Sequence, residues 1–264
     1  MLILLPPSEG KATFGDGPRL DVDTLTLPGL AAERERVMVA LTELCAGPED
    51  TARQVLGLSV SQVDALKRNL DLTSAPTLRA ADLYTGVLYD RLGLPGLSAR
   101  YGDLVRERIL VFSGLWGVVG PTDRLPPYRL SMGVKLPPLG GLGTYWRKAL
   151  TAPVNELAEG RLLVDCRSSS YATAFKPTGE IAERTVTVRV LREREVEGRM
   201  KRSVVSHMAK ATRGDIARVL VTERVEAHTP QALLTALRDL GHTVELQPAG
   251  KPGTARTMDV IVRD

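Results

Sequence analysis

The chain has 264 residues, 43% apolar and 25% charged, with 35 Lys and Arg against 31 Asp and Glu for a formal net charge of +4. That apolar share supplies one large core or two small ones and excludes a wholly disordered chain. There is no apolar run near the ~20 residues of a membrane span, no basic leader before the first apolar run, and only two cysteines, Cys45 and Cys166; the expectation is a cytoplasmic protein with no membrane partner, basic enough to accept a polyanion.

Met1 to Leu5 reads as a first strand, followed by a Gly/Pro-rich loop from Pro6 to Pro18. Leu30 to Cys45 has the apolar spacing of a helix. Thr51–Leu56 and Ser59–Leu72 read as two short helices around Gly57-Leu58, with Ser59 and Gln62 spaced as a capping box. Ser98–Glu107 predicts a helix before a buried strand at Arg108–Phe112. Thr144–Glu159 predicts a helix interrupted near Pro153, and Leu162–Cys166 another buried strand. Val186–Glu193 and Arg202–Ser206 read as paired strands joined by a hairpin, Arg194–Lys201, containing Gly198. His207–Arg224 is the longest predicted helix. Thr229 caps another through Leu240, and Thr243–Leu246 and Met258–Val262 close the chain as strands. Strands alternating with helices, broken by one hairpin, predict an α/β fold: a mixed β-sheet surrounded by helices. Arg34–Arg36 and Arg192–Glu197 mix charge signs and read as solvated surface; Lys251–Arg256 is a short basic loop.

Candidate site residues gather where apolar strands end, the usual ligand position in open α/β sheets. After the first strand, Ser8, Gly10 and Lys11 offer a hydroxyl, N–H groups and an ammonium to an anion, without the spacing of a Walker loop. After the Arg108–Phe112 strand comes FSGLWGVVGPTDRLPPYRLSM, Phe112 to Met132. Its glycines permit close backbone approach, its prolines stiffen it, and Ser113, Tyr128 and Arg129 can meet a base, phosphate or carboxylate. After the Leu162–Cys166 strand, Arg167, Ser168, Ser169, Ser170, Tyr171 and Lys176 form a third polar loop. Lys210, Arg213 and Arg224 lie on one stripe of the His207 helix. The helical pair at Leu56–Leu72 offers backbone N–H groups to a phosphate, with Lys67 and Arg68 beside it. No metal site or cofactor is expected: His207, His228 and His242 are scattered, and neither cysteine has a CxxC partner. There is no GxSxG elbow, and Ser113-Gly114 lacks an identifiable base.

Taken in order, these segments resemble the YaaA family of peroxide-stress proteins. The resemblance is carried by the MLILL strand and the loop to Lys11, Tyr84-Thr85-Gly86, Ser113–Gly133, Tyr145-Trp146, Ser168 with Tyr171 and Lys176, and Ala209–Gly214. It implies one domain over 1–264 with a basic cleft, a helix-hairpin-helix within 46–72, and a cytoplasmic role in surviving hydrogen peroxide by limiting iron-dependent DNA damage. It also implies a double-stranded DNA partner, read with little sequence specificity. The chain departs from the family pattern at its first loop, Pro-Pro-Ser-Glu-Gly-Lys, and at Ser170 and Thr173, where a glutamate and a lysine are common. Its hairpin turn reads only Gly57-Leu58-Ser59.

The expected DNA- or anion-binding set is therefore Ser8, Lys11, Lys67, Arg68, Ser113, Tyr128, Arg129, Ser168, Tyr171, Lys176, Lys210 and Arg213. Tyr128, Tyr145 and Trp146 either stack bases or pack the cleft wall. The alternative is an enzyme using the same pocket for a small phosphorylated or nucleotide-like substrate. Both readings require Lys11 and Arg129 to share one site, and two cations at close range require an anion between them.

Overall fold

The computed structural model describes residues 1–196, 199–204 and 206–263. Its core is one mixed sheet. The strands are β1 (Leu2–Leu5), β2 (Ile109–Ser113), β3 (Gly117–Val119), β4 (Leu163–Asp165), β5 (Thr185–Val196), β6 (Arg199–Val204), β7 (Val244–Leu246) and β8 (Arg256–Arg263). Their order across the sheet is β7-β8-β5-β4-β1-β2-β3. β1 lies parallel between β2 and β4, and β5 lies parallel between β4 and β8. β3, β6 and β7 are the antiparallel additions. Beyond Leu191, β5 outruns β4 and pairs with β6.

β1 and β2 are buried at every position, as central parallel strands covered on both faces must be. The parallel arrangement brings Leu5, Ser113 and Asp165 to the same edge of the sheet. The three polar loops singled out in the sequence therefore leave from that edge together.

The longer helices and the pieces that shape the site are α1 (Ala31–Ala46), α2 (Glu49–Leu56), α3 (Asp64–Leu70), α4 (Val87–Leu92), α5 (Leu142–Ala158), α6 (Ser206–Thr222) and α7 (Pro230–Asp239). Thr229 caps α7 by accepting from the Ala232 N–H. Gly214 lets α6 lie against α4: a Cβ there would stand 2.3 Å from the Leu88 carbonyl oxygen. No helix among the described residues is long and apolar enough to cross a membrane.

Several expectations need correction. The Ser59–Leu72 helix is split into a 3-10 turn, Val60–Gln62, and α3, although its Ser59/Gln62 capping box is present. The Ser98–Glu107 helix is two helices, Leu94–Arg100 and Gly102–Arg108, meeting at Tyr101. α5 runs through Pro153 without interruption. The hairpin is shorter than expected because the strands reach Val196 and Arg199; Gly198 lies outside the described residues, as does residue 205 of the expected second strand. Arg34 is not surface but fully buried. Its guanidinium donates to the carbonyls of Thr26 (2.5 Å), Val118 (2.9 Å), Trp116 (3.1 Å) and Leu27 (3.3 Å). Burial lowers its pKa to about 10, with Asp123 opposing. Glu193, also expected on the surface, is buried between Arg202 (2.9 Å) and Arg263 (2.7 Å).

Candidate functional site

Lys11 is the centre of the strand-end cluster. The loop after β1 turns back so that Lys11 bridges to Tyr84 and the Ala12 N–H donates to Leu83. Ser8 fastens the turn, donating to the Gly10 carbonyl and accepting from the Thr85 N–H at 3.1 Å. The Lys11 side chain is folded inward. Its Nζ donates to the Ser8 carbonyl at 2.7 Å and sits 4.4 Å from the Tyr128 ring centroid and 5.6 Å from that of Tyr84. Burial lowers the Lys11 pKa to about 7; Glu9 opposes this, while Arg129 and Arg68 add to it.

Lys11 and Arg129 do meet, as expected. With Glu9, Gln62, Arg68 and Tyr128 they line a cavity of about 170 Å3. One anion beside these cations is internal. The Glu9 carboxylate pairs with Arg129 at 2.7 Å, and the Glu9 carbonyl accepts from the same guanidinium at 3.0 Å. On the other side of this pair runs a groove of about 660 Å3, past Gln54, Gly57, Ser131 and Lys135.

Below the cavity lies a chain of hydroxyls. Tyr84 and Tyr128 are 3.0 Å apart through their hydroxyls, and Tyr128 continues to Ser113 Oγ at 2.7 Å. Ser113 Oγ accepts from the Leu115 and Trp116 N–H groups, so it stops β2 and turns the backbone. Its side-chain partner is a tyrosine, so it has the fittings of a structural serine. Tyr89 donates to the Pro6 carbonyl at 2.7 Å. Burial raises Tyr84, Tyr89 and Tyr128 well above the ordinary tyrosine range. Tyr171 completes the wall, hydrogen-bonded to Ser131 and to the backbone of Met132. Burial pushes its pKa up to about 12, and Glu9 adds to the rise.

Asn69, at the end of α3, ties the helical pair to this wall. Its side-chain amide accepts from the Arg129 N–H at 2.8 Å and donates to the Arg129 carbonyl at 2.9 Å. The turn before it has its own donors engaged: the N–H groups of Gly57, Leu58 and Ser59 bond to Gln54, Arg53 and the Gln62 side chain. What the helical pair presents to the cavity is chiefly the Arg68 side chain and the segment Ser61–Ala65.

The fold thus brings Ser8, Lys11, Arg68, Ser113, Tyr128, Arg129 and Tyr171 to one region. Lys67 is exposed on the neighbouring face of α3. Ser168 starts a short helix and bonds to Ser170 Oγ at 3.1 Å; Lys176 and Lys210 are exposed. Arg213 turns toward β5, donating to the Val188 carbonyl at 3.2 Å and acting on buried Cys166. Base stacking is not available to Trp146 or Tyr128 in this arrangement, while Tyr145 is half-buried. Trp146 is fully buried and donates to the Gly114 carbonyl at 2.8 Å, and Tyr128 is only 2% exposed. Tyr145 donates to the Glu33 carbonyl at 3.0 Å. The glycines of the central loop approach their own chain: Gly114 faces Leu130, and Gly117, with φ of 71°, faces the Trp146 ring.

Glu9, Asn69, Tyr84 and Tyr89 were missed as site residues. Glu9 stands in the first loop and Tyr84 in a motif already singled out. Neither Asn69 nor Tyr89 carries a local signal, because their partners are 60 and 83 residues away. A second buried pair also went unseen. Arg167 binds Asp165 through two bonds of 2.9 and 2.7 Å and lies 4.2 Å from the Phe112 ring. Among the described residues no group of three or more His, Cys, Asp or Glu is placed to hold a metal.

The model of the family described as "Peroxide stress protein YaaA" matches residues 1–246. A UPF0246 protein of Streptomyces coelicolor is 48% identical over 264 residues, covering 100% of this chain and 99% of that protein. One from Corynebacterium efficiens is 38% identical, covering 99% and 100%, and one from Phenylobacterium zucineum 30%, covering 86% and 84%. A role in peroxide stress is consistent with these matches, and the chain belongs to the peroxide stress protein YaaA family.

Proposed function

We propose that this is a cytoplasmic DNA-binding protein of the peroxide stress response, holding duplex DNA through its phosphates and so limiting iron-dependent damage to it. The observation that carries this reading is the meeting of Arg68 and Arg129 beside Lys11, next to the α2–α3 pair and at the mouth of a cavity flanked by an open groove. Lys135 lines the groove and is exposed, and Lys67 is exposed on the neighbouring face of α3; both add cations near these arginines. Phosphate contacts position a duplex without reading its sequence, so several sequences should bind alike. Neutralising four to six phosphates gives a log–log salt slope of roughly −4 to −5. Fluorescence anisotropy with a labelled duplex tests this. Arg68→Ala and Arg129→Ala should weaken binding and flatten the slope by about one each. Affinity indifferent to salt would overturn the phosphate model.

A second reading, an enzyme acting on a small phosphorylated or nucleotide-like substrate, is favoured by the enclosure of Lys11. A cavity of about 170 Å3 admits a single small group and no duplex. On this reading free nucleotides or sugar phosphates should bind to the wild type and not to Lys11→Ala.

A further inference from the structure

We propose that Lys11 is a nucleophilic amine that forms an imine with the aldehyde of an open-chain sugar phosphate, either free or as an abasic residue in DNA. The inference rests on the reading of this cavity as a phosphate site.

Three observations lead to it. First, the Lys11 amine lines a cavity and among the described residues has no carboxylate partner of its own: Glu9 is held by Arg129 at 2.7 Å, and Nζ donates there to a backbone carbonyl, Ser8. A lysine whose task is structural would be expected to end in an ion pair or in water. Second, Nζ lies over the faces of Tyr128 and Tyr84, and Lys11 lines the cavity together with Tyr128. Third, Arg68 and Arg129 stand around the same space, where a phosphate on the aldehyde-bearing molecule would be met. The amine's proton affinity supports the assignment, since burial brings it to about 7 and leaves much of it neutral at physiological pH.

The step balances without a co-reactant. The neutral Nζ lone pair adds to the aldehyde carbon, and the proton leaving nitrogen goes to the carbonyl oxygen. The resulting carbinolamine loses water, and a C=N bond replaces C=O. Glu9 lines the same cavity and is the carboxylate to which the proposal assigns the relay of that proton.

The test is borohydride trapping on the full chain. Two probes are used separately, 2-deoxyribose 5-phosphate and a duplex carrying one abasic site, with adducts located by peptide mass mapping. The expected result is a single reductive-amination adduct on Lys11, formed at a rate that rises through about pH 7. It should fall at least tenfold in Lys11→Arg, whose folding is checked by circular dichroism. Trapping of both probes supports the site and its DNA source. Trapping of the free sugar phosphate alone supports the imine while removing DNA as the source; binding of an undamaged duplex then decides the DNA reading separately. Absence of an adduct with both probes overturns the inference. So does labelling spread over exposed lysines such as Lys67 and Lys176 and unchanged in Lys11→Arg.

Discussion

Asn69 offers the sharpest test of how the site is held. It is fully buried, and its amide completes a two-bond pairing with the backbone of Arg129, at 2.8 and 2.9 Å. Asn69→Ala removes both bonds and leaves an N–H and a carbonyl without partners. Each lost bond is worth about 1 kcal/mol, and each stranded group adds to it, so the expected destabilisation is about 2–4 kcal/mol. That is a large part of a typical domain's 5–15 kcal/mol. Asn69→Asp keeps the shape but turns the donor that met the Arg129 carbonyl into an acceptor. It should therefore be worse than Asn69→Ala, despite being the smaller change. Urea denaturation measures both, read as midpoint shifts at constant m-value. Because Arg129 would lose its anchor, DNA affinity should drop in parallel with Arg129→Ala. A loss below about 1 kcal/mol for Asn69→Ala, or Asn69→Asp no worse than it, would refute the clamp.

Other outcomes follow from the same structure. With a folded-state pKa of about 7 against the ordinary 10.5, Lys11 binds fewer protons folded than unfolded between those values, so its contribution to stability rises with pH across that window. Lys11→Met should therefore be more stable than the wild type near pH 6, by about 1–3 kcal/mol, with the gap narrowing toward pH 10; a gap independent of pH in paired urea melts would count against the depressed ammonium. Asp165→Asn leaves the buried Arg167 guanidinium without its carboxylate and should cost about 3–5 kcal/mol, measured by thermal or urea unfolding. Gly214→Ala places a methyl group against the Leu88 carbonyl and should cost about 1–3 kcal/mol, with weaker protection of α4 amides in hydrogen exchange; unchanged protection would show that the helices can separate without loss.

The strands were legible in the chain because their signal is local. Uninterrupted apolar runs at Leu2–Leu5 and at residues 109–112 mark strands buried on both faces. A polar Gly/Pro loop after such a run marks its end, and parallel pairing brings those ends to one edge. That chain of reasoning was enough to place Lys11 beside Arg129. It was not enough to see that Glu9 already pairs with Arg129, since which side chain a cation meets depends on how the loop turns back on Tyr84 and Thr85. Arg34 illustrates the limit from the other direction. Its neighbours Glu33 and Glu35 make the segment look solvated, yet its guanidinium reaches the carbonyls of Trp116 and Val118, more than 80 residues on. Tyr128 and Trp146 have the composition of a stacking platform and are instead buried. Hydrophobicity and turn chemistry act between near neighbours and are written residue by residue. Burial of a charge, partnering of a buried amide and exposure of an aromatic depend on groups 60 to 120 residues apart, and only the closed sheet brings those together.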